Sequence, residues 1–145
     1  MTPSQDFALD ASVVMAWCFG DEEAPYADAV LESLSAREAV APSVWPLEVG
    51  NVLVAGERRG RLSAASAARF LTLLAGLPIR VVEDSPDILL SHVLALAREH
   101  GLSTYDASYL SCAMRLGLPL ATLDARLAAA AGRCGVPVFD PAAKD

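Results

Sequence analysis

Short apolar runs alternate along the chain with longer stretches in which apolar residues return every three or four positions. The first pattern reads as strands buried on both faces, the second as amphipathic helices. Strands are predicted near residues 7–9, 39–41, 79–82, 118–122 and 136–139. Helices are predicted over residues 13–19, 24–34, 46–59, 63–75, 86–100, from Thr104 to about Leu116, and from Asp124 onward. Punctuation supports the boundaries. Pro46 suits a first helical turn, where a missing N–H costs nothing, and Gly60, Gly76 and Gly101 follow helical stretches as natural stops. Ser63, Ser85 and Thr104 stand where caps are expected. Strands alternating with helices imply a parallel α/β sheet covered on both faces. There is no internal repeat, low-complexity tract or linker. One domain over residues 1–145 is expected, with residues 141–145 a loose tail.

Against this apolar pattern four acids stand out. Asp10 closes the run Phe7-Ala8-Leu9, and Asp124 follows Pro119-Leu120-Ala121-Thr122-Leu123. Glu48 opens the stretch leading to Leu53, and Asp106 lies in the run from Ser103 to Leu110. Each alone could be an ordinary acid at a helix start, where it meets free N–H groups and complements the dipole. Together they carry more. In an open parallel sheet ligands bind beyond the carboxyl ends of the strands, where strand order reverses. If strands one and four are neighbours there, Asp10 and Asp124 flank the crevice. Glu48 and Asn51, three apart on one helix, share a face. Converging carboxylates are costly without a partner and suit a hard divalent cation, which points to metal-dependent phosphodiester chemistry.

Composition narrows the field. A hydrophobic fraction of 54% is high, yet no apolar stretch approaches the length of a membrane span. The opening residues lack a basic region, so no signal peptide is expected. Cys18, Cys112 and Cys134 have no metal-ligand spacing and read as buried, reduced thiols of a cytoplasmic protein. The net charge of −7 argues against simple electrostatic attraction to nucleic acid. Two divalent cations at the acids would still leave the chain acidic, so RNA would need a local basic patch. Arg58, Arg59 and Arg61 form the one tight cluster, and cations at a helix end also serve the dipole.

Other chemistries find less support. His92 and His100 have no companion at metal spacing and read as surface or packing residues. Ser12, Ser108 and Ser111 have no His nearby in sequence, so a Ser–His–Asp site is unsupported. No glycine-rich phosphate loop is present. Trp17, Trp45, Tyr26, Tyr105 and Tyr109 read as core or interface residues.

The segments Leu9-Asp10-Ala11-Ser12-Val13, Leu47-Glu48-Val49-Gly50-Asn51, Thr104-Tyr105-Asp106-Ala107-Ser108-Tyr109-Leu110 and Thr122-Leu123-Asp124-Ala125-Arg126-Leu127 resemble the four acidic motifs of PIN-domain nucleases. Size and motif order are similar to the VapC-type toxins of bacterial toxin–antitoxin pairs. The resemblance covers nearly the whole chain. It implies a three-layer α/β/α fold with a five-stranded parallel sheet. It also implies Mg²⁺- or Mn²⁺-dependent endoribonuclease activity, homodimerisation and inhibition by a cognate antitoxin. Asp10, Glu48, Asp106 and Asp124 fall on the acidic positions, with Asp10 and Asp106 matching those most directly tied to the metal. Ser12, Asn51 and Thr122 match the supporting positions. Two alternatives stay open: a PIN nuclease of RNA processing without an antitoxin, and a non-catalytic interaction domain whose acids are only caps. Apolar residues beyond one buried face on helices 24–34 and 63–75 favour partner surfaces.

Overall fold

A computed structural model describes residues 6–19 and 24–142. The chain's start, on which the signal-peptide reading rests, and the last residues of the expected tail, 143–145, lie outside the described residues. Four parallel strands form one sheet: β1 (Phe7–Leu9), β2 (Ala39–Pro42), β3 (Ile79–Val82) and β4 (Leu120–Ala121), in the order β3-β2-β1-β4. The register sets Ala8 beside both Val40 and Leu120. β1 and β2 are buried throughout, which is why their sequence is an unbroken apolar run instead of an alternation. β1 and β4 are neighbours, so strand order reverses between them.

The helices are α1 (Ala11–Cys18), α2 (Pro25–Ser33), α3 (Trp45–Arg58), α4 (Ala64–Ala75), α5 (Pro86–Ile88), α6 (Leu94–His100), α7 (Thr104–Leu116) and α8 (Ala125–Arg133). α7 lies along β1, β2 and β4 with α6 and α8 beside it, while α1 gathers α2 and α3. The result is the expected three-layer sandwich. Gly101 and Gly117 close α6 and α7 in the left-handed region, at φ 64° and 66°, where a side chain would be strained.

Four expectations need correcting. The segment at 136–139 is not a fifth strand. It makes one parallel bridge, Leu120 with Val138, in which Leu120 N donates to Pro137 O and Phe139 N donates to Leu120 O. Extending that ladder either way would call on the N–H of residue 137 or 141, and both are proline. The Tyr26 hydroxyl instead donates to Phe139 O at 2.7 Å. The cap of α7 is Ser103, whose hydroxyl accepts from Asp106 N, one residue before the expected Thr104. The helix expected over 86–100 is interrupted by a π turn at Leu89–Val93. β4 is also shorter than expected, because Leu118 N is already bonded to Ala113 O and Pro119 has no N–H.

The core contains Leu9, Val13, Val30, Leu110, Leu120 and Leu127, all fully buried. Phe7 and Phe139 stack with ring centroids 4.0 Å apart. Tyr109 and Trp45 are core residues as expected, whereas Tyr105 is 59% exposed. All three cysteines are free, but only Cys112 is buried. No helix among the described residues is long and apolar enough to cross a membrane.

Candidate functional site

Because the strands are parallel, their carboxyl ends share one edge, and the four acids are delivered there by four elements. Asp10 follows β1, where Asp10 N donates to Ala121 O of β4. Asp124 follows β4 and opens α8. Glu48 lies in the first turn of α3, just past β2, and Asp106 in the first turn of α7.

Asp10 occupies the cap position of α1, but its side chain makes no capping bond. It is 5% exposed, and its Oδ2 instead accepts from the hydroxyls of Ser12 at 2.7 Å and Thr122 at 2.8 Å. Those hydroxyls are themselves oriented. Ser12 Oγ accepts from Leu123 N and Thr122 Oγ1 from Asp124 N, so each proton is left to point at Asp10. Both donors converge on one oxygen and leave Oδ1 uncommitted among the described residues.

Burial pushes the Asp10 carboxyl up from 3.8 to about 6; the two hydroxyls oppose this, and the charges of Asp106 and Glu48 add to it. Glu48 is raised by burial first, opposed by a bond from Tyr109 and reinforced by Asp106. Asp106 is raised by burial and then by Asp124, against the bond from Ser103 and the charge of Arg126. The acids are therefore electrostatically linked through Asp106, whose charge acts on Asp10 and Glu48 and which is itself raised by Asp124. Three of the four hold their protons more tightly than exposed carboxyls do.

Asp124 differs from Asp10. Its Oδ1 accepts from Arg126 N and Leu127 N, so it does cap α8. Asn51 is exposed one turn beyond Glu48, and with Glu48 and Tyr105 it lines an open groove of about 430 Å³. A second groove, beside Ser12 and Leu123, is lined by Phe19 and Arg61, whose guanidinium lies 4.3 Å from the centre of the Phe19 ring. Of the arginine cluster, Arg61 thus shares a groove with Ser12, the residue that bonds Asp10.

No three His, Cys, Asp or Glu side chains among the described residues stand at the spacing that would hold an ion as they are. The charges of the acids nevertheless act on one another. The donor set still fits a hard divalent cation: it is all oxygen, half-buried or deeper, and crowded enough to gain from a positive charge.

Sequence reasoning missed two features. Tyr109 is fully buried, yet its hydroxyl donates to Glu48 Oε1 at 2.6 Å. Its position one turn after Asp106 was the available signal, since residues three apart share a helix face. The second is that Ser111 does meet a histidine: His92 Nδ1 lies 2.7 Å from its Oγ, brought there from the π turn. Ser111 Oγ also accepts from Arg115 Nε and is fully buried, which is a packing network and not an accessible nucleophile.

The fold and the acidic edge define a PIN domain, and the PIN-domain family model matches residues 7–133. The chain belongs to that family. Among its relatives is the ribonuclease VapC3 of Pyrobaculum aerophilum, 32% identical over 120 residues that cover 83% of this chain and 90% of the relative. The exonuclease VapC9 of the same organism is 43% identical over 82 residues, 57% of this chain and 59% of its own length. The crystal structure of PAE2754, also from Pyrobaculum aerophilum, superposes with a TM-score of 0.67 at 31% identity, covering 87% of this chain and 84% of that one. A toxin–antitoxin complex from Klebsiella pneumoniae shares the fold at a TM-score of 0.63 and 20% identity, covering 93% of this chain and 97% of that chain.

Proposed function

We propose that the chain is a divalent-metal-dependent endoribonuclease and acts as the toxin of a toxin–antitoxin pair. The observation that carries this reading is the delivery of Asp10, Glu48, Asp106 and Asp124 by four elements to one edge of the sheet, at its reversal point. Asp10 and Asp106 hold Mg²⁺ or Mn²⁺. Asp124, through the oxygen its cap leaves over, completes that site or serves a second ion, and Glu48 ligates the ion or orients water. When bound, such an ion supplies a Lewis acid that acidifies water and neutralises charge on a phosphodiester. Ser12 and Thr122 keep Asp10 in one orientation. Asn51 offers an amide donor to the RNA backbone along its groove, and Arg61 offers positive charge from the other flank. No protein nucleophile is needed.

The toxin role rests on the VapC relatives and on apolar surface. Leu47, Leu90 and Leu73 are 76%, 73% and 71% exposed, more than a chain without partners has reason to present. We assign these residues to a homodimer contact and to an antitoxin helix, in the cytoplasm.

The test is brief induction of the chain alone followed by mapping of new RNA 5′ ends. New ends with growth arrest are expected, and Asp106→Asn should give neither. New ends without arrest would instead favour RNA processing, as would the lack of a neighbouring gene for a small DNA-binding protein.

Metal affinity should also depend on pH. The raised Asp10 carboxyl takes up a proton as pH falls through about 6, and the proton then competes with the ion. Mn²⁺ affinity should fall about tenfold per pH unit below 6 for each proton displaced. Calorimetry at pH 5, 6 and 7 measures this, and a flat profile would remove Asp10 from the ligand set.

A further inference from the structure

Tyr109 presents its hydroxyl where the mechanism above needs rigidity. Its ring belongs to the core, fully buried on α7, and phenylalanine would fill the same space. The hydroxyl is a separate matter. It donates to Glu48 Oε1 at 2.6 Å, across 61 positions of sequence. One hydroxyl therefore joins α7 to α3, the two helices whose first turns carry Asp106 and Glu48.

We propose that Tyr109 is a positioning residue: its hydroxyl fixes the Glu48 carboxylate so that one oxygen is engaged and the other is presented to the acidic site. This rests on the nuclease reading and deepens it. Glu48 is only partly buried and sits on a long side chain with several rotamers, so an untethered carboxylate would sample positions away from its neighbours, all the more because Asp106 repels it. A buried phenol makes a firm tether. It has few rotatable bonds, and its ring cannot leave the core. A hydrogen bond to a charged acceptor is also stronger than one to a neutral group.

Four full-length proteins test the assignment: wild type, Tyr109→Phe, Glu48→Gln and the double variant. Each is checked for folding by thermal melt. Two quantities are then read, Mn²⁺ affinity by electron paramagnetic resonance and the initial rate of cleavage of total cellular RNA. Tyr109→Phe should lower whichever quantity Glu48→Gln lowers, by about tenfold, the size expected for losing a bond to a charged group. In the Glu48→Gln background the same change should have an effect of about twofold or less, because the amide still accepts the bond but the carboxylate that the bond orients toward the ion is gone.

A purely structural tyrosine gives another result. Tyr109→Phe would lower the melting temperature but leave both quantities unchanged, or its effects would add to those of Glu48→Gln, and either outcome overturns the proposal. If Glu48→Gln itself changes neither quantity, Tyr109 has nothing to act through and the proposal also falls. A wild type that neither binds Mn²⁺ nor cleaves RNA would instead sink the nuclease reading, and the positioning role with it.

Discussion

Asp10→Asn should abolish RNA cleavage and, in the same preparation without metal, raise the melting temperature. The two effects have one cause. Asp10 is nearly buried with its carboxyl raised from 3.8 to about 6, so its ionised form is destabilising in the metal-free fold. The sign follows from linkage. With the folded value above the unfolded one, Asp10 contributes stability fully below about pH 4, and that contribution is lost as pH rises through about 6. Removing the charge recovers at most about 3 kcal/mol at neutral pH, taking a shift of about two units. Asparagine keeps a carbonyl to accept from Ser12 and Thr122 but adds an amide that needs a partner, at a cost of about 1 kcal/mol. A net gain of about 1–2 kcal/mol remains, or several degrees for a chain of this size. The difference between variant and wild type should open between pH 4 and 6.5 in EDTA. An acid that only served a helix start would behave in the opposite way, losing about 0.3–1 kcal/mol on neutralisation with activity intact. Thermal melts across that pH range, run beside a cleavage assay, distinguish the two.

Phe139→Ala should be the most damaging single change to the fold, costing about 3–5 kcal/mol of a total that for such domains is about 5–15. Phe139 lies beyond the last residue matched by the family model and outside any strand. It is nonetheless 2% exposed, stacked on the fully buried Phe7 of β1, and covered on one side by the Arg37 guanidinium at 5.3 Å. Truncation leaves a cavity against the central strand that the prolines at 137 and 141 hinder the backbone from collapsing to fill. Urea unfolding measures the loss. A cost below about 1 kcal/mol would mean that residues 136–139 are an appendage and not part of the core.

Much of this architecture was legible in the residues. Buried parallel strands write themselves as unbroken apolar runs, which located β1 and β2 closely; β3 is an edge strand with Arg80 and Val81 exposed, and its apolar residues alone marked it. Serine caps and glycine stops located most helix ends. The failures have physical causes. Val136-Pro137-Val138-Phe139 has strand composition, but its prolines deny the ladder two donors, a point visible in the sequence and outweighed there by the apolar pattern. Ser103 and Thr104 are adjacent and equally able to cap, and only the bond to Asp106 N decides between them. For the π turn at Leu89–Val93 we find no sequence signal.

Legibility at the site followed a different rule. Asp10 stood out because a carboxylate closing a buried strand is costly, and its partners Ser12 and Thr122 lie in the same motifs. The distinction between Asp10, which does not cap its helix, and Asp124, which does, needed side-chain geometry. Tyr109 was hidden because an aromatic residue among apolar neighbours reads as core, and its ring is core. Its hydroxyl finds a partner on another helix, which local pattern cannot reveal.

The central claim is that these carboxylates form a divalent-ion site that serves RNA hydrolysis. Incubating purified wild type and Asp106→Asn with total cellular RNA, in Mn²⁺ and in EDTA, tests it most directly. Cleavage by wild type in Mn²⁺, with none in EDTA and none by Asp106→Asn in either buffer, is the predicted result. Equal cleavage by wild type in EDTA, or retained cleavage by Asp106→Asn, would contradict it.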